Sequence, residues 1–217
     1  MGLRINDIVP NFTAVTDQGS ITFHDWIGDS WAILFSHPKD FTPVCTTEFG
    51  VVAQLAEEWE KRDTKVIGLS VDGVEDHVKW KSDIEGYAGA KTGFPIIADE
   101  GLAVSKAFDM LPADAYLPDG RTASDSQSVR SVFIISPDKK VQLIMTYPMS
   151  VGRNFAEILR ALDALQATFD EPISTPANWT KGEDVVVSLA VSDEDAQMRF
   201  GEIDIKLPYL RTTRDPS

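Results

Sequence analysis

The sequence predicts an α/β protein, a mixed central sheet flanked by helices, with a small C-terminal extension. Three observations predict it. Apolar runs of strand length alternate with segments of helical periodicity along most of the chain. That alternation closes with a β-hairpin and one strongly periodic helix. Asp170-Glu171-Pro172-Ile173-Ser174-Thr175-Pro176 then reads as a linker by composition, dividing a main domain, 1–169, from an extension, 170–217. The extension is too short for a self-sufficient core and must pack on something.

Taken in order, Phe12 to Thr16 and Ile21 to Phe23 flank the turn-rich Asp17-Gln18-Gly19-Ser20 and predict an opening hairpin. Trp31-Ala32-Ile33-Leu34-Phe35 is an apolar run bounded by Gly28-Asp29-Ser30 and Pro38, the pattern of a buried strand. Phe49, Val52, Ala53, Ala56 and Trp59 then recur at spacings of three and four, with Glu57, Glu58 and Lys61 between them. That is an amphipathic helix. Lys65 to Val71 reads as a second buried strand, and Val74 to Ile84 as a helix that packs through Val78 and Trp80. Phe94 to Asp99 is short and extended, and Leu102 to Phe108 is a short helix. Residues 112–128 carry Pro, Asp, Gly and Ser without periodicity and predict an exposed loop. Val129 to Ile135 and Val141 to Tyr147 are strands joined by Ser136-Pro137-Asp138-Lys139-Lys140. Phe155, Ile158, Leu159, Leu162 and Leu165 mark the closing helix. In the extension, Val185 to Val191 and Ile203 to Leu207 are strand-like.

Composition narrows the function classes. A hydrophobic fraction of 43% and a charged fraction of 25% are ordinary for a globule. No apolar run approaches the roughly 20 residues of a membrane span. The first residues lack the apolar core of a secretory signal, which predicts a cytoplasmic protein. A net charge of −14 argues against nucleic acid or an anionic membrane as partner. One cysteine excludes an internal disulfide and a Cys-rich zinc site.

That cysteine lies in His37-Pro38-Lys39-Asp40-Phe41-Thr42-Pro43-Val44-Cys45-Thr46-Thr47-Glu48, between the buried strand and the amphipathic helix. Thr42 suits the N-cap and Pro43 the first helical position, which makes Cys45 the third. A sulfur there faces unpaired backbone N–H groups and the positive end of the helix dipole, both of which favour thiolate. The segment reads as a device for making one nucleophilic sulfur.

Pro38-x-x-x-Thr42-x-x-Cys45 matches the peroxiredoxin active-site motif. The wider twelve-residue stretch resembles the one-Cys subgroup of that family, the AhpC/TSA family. The likeness runs from Asp7-Ile8-Val9-Pro10-Asn11-Phe12 to Pro208-Tyr209-Leu210-Arg211. It implies a thioredoxin-like fold and a thiol-dependent peroxidase acting on hydrogen peroxide and organic hydroperoxides. It calls for no cofactor and no metal. It makes Cys45 the nucleophile, oxidised to sulfenic acid and returned by an external thiol. Thr42 would offer its hydroxyl, Pro38 would shield the sulfur, and Val44 would line the site. Arg130, flanked by Ser128-Val129 and Ser131-Val132-Phe133, matches the family's active-site arginine. Arg153 matches a second, supporting one, which Glu48 could hold. His37 is characteristic of the subgroup near the sulfur. Ala156 stands where the family usually has Asp. The extension implies a homodimer or a higher assembly.

Two rival readings come from other classes. One is a thioredoxin-fold redox switch or chaperone module. The other is the phospholipase A2 activity described for some one-Cys members, whose matching positions are Ser30, His24 and Asp138. The sequence argues against the second. Its Gly28-Asp29-Ser30-Trp31-Ala32 lacks the closing glycine, and the strand follows the serine where a nucleophile elbow needs it before.

Overall fold

The apolar run from Trp31 on becomes a strand buried along its whole length, and the first unit is built outward from it. The computed structural model describes residues 2–120, 122 and 125–216. Two compact units divide at the Arg153–Asn154 bond.

In the first unit, β1 (Thr13–Thr16) and β2 (Gly19–Thr22) form the expected hairpin, followed by α1 (Phe23–Ile27), β3 (Trp31–Ser36) and α2 (Pro43–Gln54). Then come α3 (Ala56–Lys61), β4 (Thr64–Ser70), α4 (Val74–Ala88), β5 (Ile96–Ala98), α5 (Ala103–Ala107), β6 (Arg130–Ile135) and β7 (Val141–Tyr147). The strands make one mixed sheet in the order β2-β1-β5-β4-β3-β6-β7. At its centre β3 runs parallel to β4 and antiparallel to β6.

Side-chain alternation along β3 and β4 separates the two faces of the sheet. Ala32 and Leu34 of β3, with Ile67 and Leu69 of β4, join Phe23, Ile27, Val104 and Phe108 in one core cluster. Phe35 points to the other face, against Phe49 of α2 at a ring-centroid distance of 4.8 Å. Phe49 in turn meets Trp80 of α4 at 4.7 Å. Gly68 is needed here, because a Cβ at that position would lie 2.8 Å from Phe49 Cζ.

The predicted amphipathic helix is two helices, α2 and α3, interrupted at Leu55. In α4 the packing face is His77, Trp80 and Ile84, whereas Val78 is exposed. Spacings of three and four carry that face past Val78 on the side. The loop expected over 112–128 contains positions 121, 123 and 124, which lie outside the described residues.

The second unit is α6 (Phe155–Thr168), β8 (Ile173–Ser174), β9 (Val185–Val187), α7 (Asp193–Phe200), β10 (Asp204–Leu207) and β11 (Leu210–Thr213). Its sheet, β10-β11-β9-β8, is antiparallel throughout. The sequence divided the chain after 169; the compact unit begins earlier because α6 contributes Ala164 and Ala167 to a core with Ile173, Trp179, Val185 and Phe200. Part of the linker is β8, and the strand expected to reach Val191 stops at Val187.

Candidate active site

The parallel strands β3 and β4 end on one side of the sheet, and the loop after β3 turns there into α2. Thr42 is the N-cap and Pro43 the first helical residue, so Cys45 is the third, as the sequence indicates. Thr46 N donates to Thr42 O at 3.0 Å, leaving the Val44 and Cys45 N–H groups ahead of the helical ladder. The Thr42 side chain makes no cap bond; its hydroxyl donates to Lys39 O at 2.9 Å. Its oxygen lone pairs therefore remain to accept a proton from another group. Pro38 is buried, and Val44 is half-buried beside Gly152.

The register between β3 and β6 pairs Phe35 with Val132, which brings Arg130 to the end of β3 where the cysteine loop begins. Arg130 Nη1 donates to Cys45 Sγ at 3.3 Å and to Glu48 Oε2 at 2.7 Å, while its Nε donates to Met149 O at 2.8 Å. The sulfur and the guanidinium are both buried. Glu48, one helical turn after Cys45, is the hinge of this group. It accepts from Arg153 N at 2.8 Å, Nε at 2.9 Å and Nη2 at 2.7 Å. Arg153 Nη1 also donates to Ser36 O at 2.8 Å and Ser131 O at 3.0 Å, and its guanidinium lies 5.1 Å from the Phe35 ring centroid.

Burial pushes the Glu48 carboxyl up, but the hydrogen bonds and charge of Arg153, with Arg130 adding, hold it below its ordinary value. Two guanidinium groups around one carboxylate leave one positive charge in excess. A thiolate at Cys45 cancels it, and so would negative charge moving onto a leaving oxygen. The structure thus brings Cys45, Arg130, Glu48 and Arg153 into one hydrogen-bonded cluster.

His37 belongs to a neighbouring buried network. Its Nε2 is 2.7 Å from Asp40 Oδ1, and its ring stacks on Trp80 at 5.0 Å and meets Phe49 edge-on at 4.6 Å. Asp40 Oδ2 lies 2.6 Å from His77 Nδ1, and Asp40 N donates to Asp72 Oδ2 at 2.8 Å. Ser70 Oγ donates to Asp72 Oδ2 at 2.8 Å. Burial would raise Asp40, but its bonds to His37 and His77 hold it down at about 2. For His37 burial prevails and lowers its proton affinity, so the ring is neutral near pH 7. His37, Asp40 and Asp72 also offer ligand atoms within 4.8 Å of one another, a spacing that suits a metal ion. Hydrogen bonds among them already engage both carboxylates, so the group reads as a polar network.

Asp40, Asp72 and His77 form the buried network next to the site, and the sequence reading singled out none of them. Asp40 stood inside the motif, and His77 shares the Trp80–Ile84 face of α4; a histidine on an apolar helix face was the available signal.

The phospholipase positions are not joined. Ser30 Oγ donates to Asp63 Oδ1 at 2.7 Å, His24 Nε2 is bonded to Val9 O at 2.9 Å, and Asp138 lies 4.0 Å from Lys140 Nζ.

Comparison with known proteins supports the same chemistry. Residues 5–144 match the AhpC/TSA family, and residues 164–202 match the C-terminal domain of 1-Cys peroxiredoxin. The mitochondrial peroxiredoxin PRX1 of Saccharomyces cerevisiae is 49% identical over 98% of this chain and 81% of its own length. Mus musculus peroxiredoxin-6 is 48% identical over 99% of both. A cysteine-to-serine mutant of peroxiredoxin 6 from Arenicola marina superposes with a TM-score of 0.92 at 43% identity, covering both chains fully. A yeast mitochondrial 1-Cys peroxiredoxin, whose thiol resolution runs through glutathione/thioredoxin systems, gives 0.87 at 48% identity over 98% of this chain and 99% of its own. The mitochondrial relative overturns the cytoplasmic placement. The apolar-leader criterion speaks only to secretion, because mitochondrial transit segments are amphipathic and Arg-rich.

Proposed function

The chain belongs to the AhpC/TSA family, in its 1-Cys peroxiredoxin branch, and we propose that Cys45 is the peroxidatic nucleophile of its thiol-dependent peroxidase cycle, with Arg130 and Thr42 orienting the peroxide. The observation that carries this assignment is the 3.3 Å approach of Arg130 Nη1 to the chain's only sulfur, backed by Glu48 and Arg153.

In the cycle, the Cys45 thiolate attacks the terminal oxygen of the hydroperoxide. The S–O bond forms as the O–O bond breaks, and the departing alkoxide or hydroxide takes a proton to leave as alcohol or water. Arg130 stabilises the charge on both sulfur and oxygen. Thr42 accepts the peroxide O–H through the lone pairs left free by its bond to Lys39 O. Pro38 and Val44 close the site around the sulfur, while Arg153 and Glu48 hold Arg130 in place. A thiol then attacks the sulfenic sulfur with loss of water, and a second thiol reduces the resulting mixed disulfide. With one cysteine in the chain, both thiols come from outside. A glutathione- or thioredoxin-type donor is the reductant by analogy with the yeast enzyme.

The second unit is read as the dimerisation element. Leu189, Met198, Ile205, Leu207 and Tyr209 are all exposed on it, and a second copy of the chain would cover them.

The test is peroxide consumption with a panel of thiols, comparing the protein with Cys45→Ser. Turnover with a low-molecular-weight or thioredoxin-type thiol, abolished in the variant, is expected. Peroxide turnover that survives Cys45→Ser overturns the assignment.

A further inference from the structure

The backbone pairing of β3 with β6 stops at Phe35 and Val132, just before β3 turns into the cysteine loop. Beyond that point each chain is still held on its outer side. Ser36 pairs with Leu69 of β4, and Arg130 pairs with Tyr147 of β7. The gap between them is bridged by one hydroxyl. Ser36 Oγ donates to Val129 O at 2.6 Å and accepts from Ser131 N at 3.0 Å. Those two groups belong to the peptide units on either side of Arg130. They also bond to each other at 3.2 Å, which closes a three-residue turn centred on Arg130. The hydroxyl therefore clasps both ends of the turn from which the guanidinium projects. Ser36 is fully buried, so an alanine there would leave Val129 O and Ser131 N with only each other. The seam has two further ties. Ser128 Oγ donates to His37 O at 2.8 Å, and the carbonyls of Ser36 and Ser131 both accept from Arg153 Nη1.

We propose that Ser36 is a positioning residue of the peroxidase reaction: its hydroxyl holds the turn at Arg130 against the point where β3 leaves the sheet to carry Cys45, and so sets the separation of guanidinium and sulfur. The two groups approach to 3.3 Å although they lie on different strands' continuations, 85 residues apart. Ser36 touches neither of them. It acts on the backbone that carries Arg130, and its own backbone is fixed to β4 on the other side. A shift of the turn relative to the loop moves the donor off the sulfur, and a misplacement of about 1 Å is enough to cost about 100-fold in rate. The role rests on the peroxidase assignment of Cys45 given above.

The test is a double-mutant cycle on the full chain with Ser36→Ala, Arg130→Met and the pair, read in two reactions of Cys45. One is single-turnover oxidation by hydrogen peroxide. The other is alkylation by iodoacetamide, which has no O–O bond for Arg130 to polarise. Ser36→Ala is expected to slow oxidation about 10- to 100-fold while alkylation changes far less. In the Arg130→Met background the same substitution should cost nothing further, because a residue that only positions Arg130 has no role once the guanidinium is gone. A general loosening of the fold would instead move both reactions together and add to the loss in the double variant. Either of those results overturns the proposal, and so does oxidation of Ser36→Ala at the wild-type rate. Amide hydrogen exchange of wild type supplies a check that needs no variant to fold. The Ser131 amide, bonded to Ser36 Oγ and Val129 O, should be protected, and exchange at the rate of a free peptide overturns the proposal. A wild type that is alkylated at Cys45 but inert toward peroxide would instead overturn the peroxidase assignment.

Discussion

Replacing Arg130 with Met should separate catalysis from folding. At the 3.3 Å between Nη1 and Sγ, a full charge pair at an effective dielectric of about 20 is worth roughly 5 kcal/mol. Glu48, 2.7 Å from the same nitrogen, offsets part of that. Removing one well-placed donor from a reaction centre typically costs about 3 kcal/mol, or a factor of roughly 100 to 1,000 in rate. The fold should survive, because Glu48 keeps its bonds from Arg153 N, Nε and Nη2 and is not left as an orphaned buried charge. The main structural loss is the bond to Met149 O, of order 1–3 kcal/mol for an unpaired buried group. Arg130→Lys should also be impaired, since one ammonium cannot serve Sγ, Glu48 and the Met149 carbonyl together. The assay is a single-turnover measurement of Cys45 thiol loss against substoichiometric hydrogen peroxide, with urea unfolding as the control. Wild-type rates in Arg130→Met would remove Arg130 from the reaction and refute the charge argument.

Arg153→Met should show the opposite balance. It leaves Glu48 with Arg130 alone and strips the donor from Ser36 O and Ser131 O, so a loss of about 3–5 kcal/mol is expected, read as a lower urea midpoint. An unchanged midpoint would contradict this. Acid should unfold the protein through the Asp40 network. Asp40 is held at about 2 against 3.8, so its contribution is complete above 3.8 and disappears as pH falls through 2, of order 2 kcal/mol. The lowered His37 acts with the same sign, losing stability as pH falls below 6.5. Tryptophan fluorescence against pH checks this, and an acid limb unchanged in Asp40→Asn would count against it. Deleting residues 171–217 removes Ile173, Trp179 and Val185, and uncovers Ala164 and Ala167 of α6. Sedimentation should then show a smaller or aggregating species; an unaltered, soluble assembly would sink the dimer reading.

The sequence by itself determined the strand–loop–helix around Cys45. Its information is local: an apolar run, a Pro-bounded loop, an N-cap and a helical period all lie within a few turns of chain. The family motif rests on the same contiguous residues, so Pro38, Thr42 and Cys45 were legible together. Arg130 and Arg153 were legible only through resemblance, because nothing near them in the chain names a partner 82 or 105 residues away. Arg130 meets Glu48 through the antiparallel register of β3 and β6, and Arg153 through the segment that follows β7, which pairs with β6; no local pattern encodes either long-range pairing. The Asp40–His77 pair lies further out of reach. It forms because α4 packs its His77–Trp80–Ile84 face inward; the reading that chose Val78 and Trp80 had the helix and Trp80 right and Val78 wrong. Burial then does what sequence cannot specify. It leaves one histidine neutral, holds one aspartate ionised and makes Glu48 the shared anion of two arginines, because the protonation of a buried group depends on which neighbours replace its water.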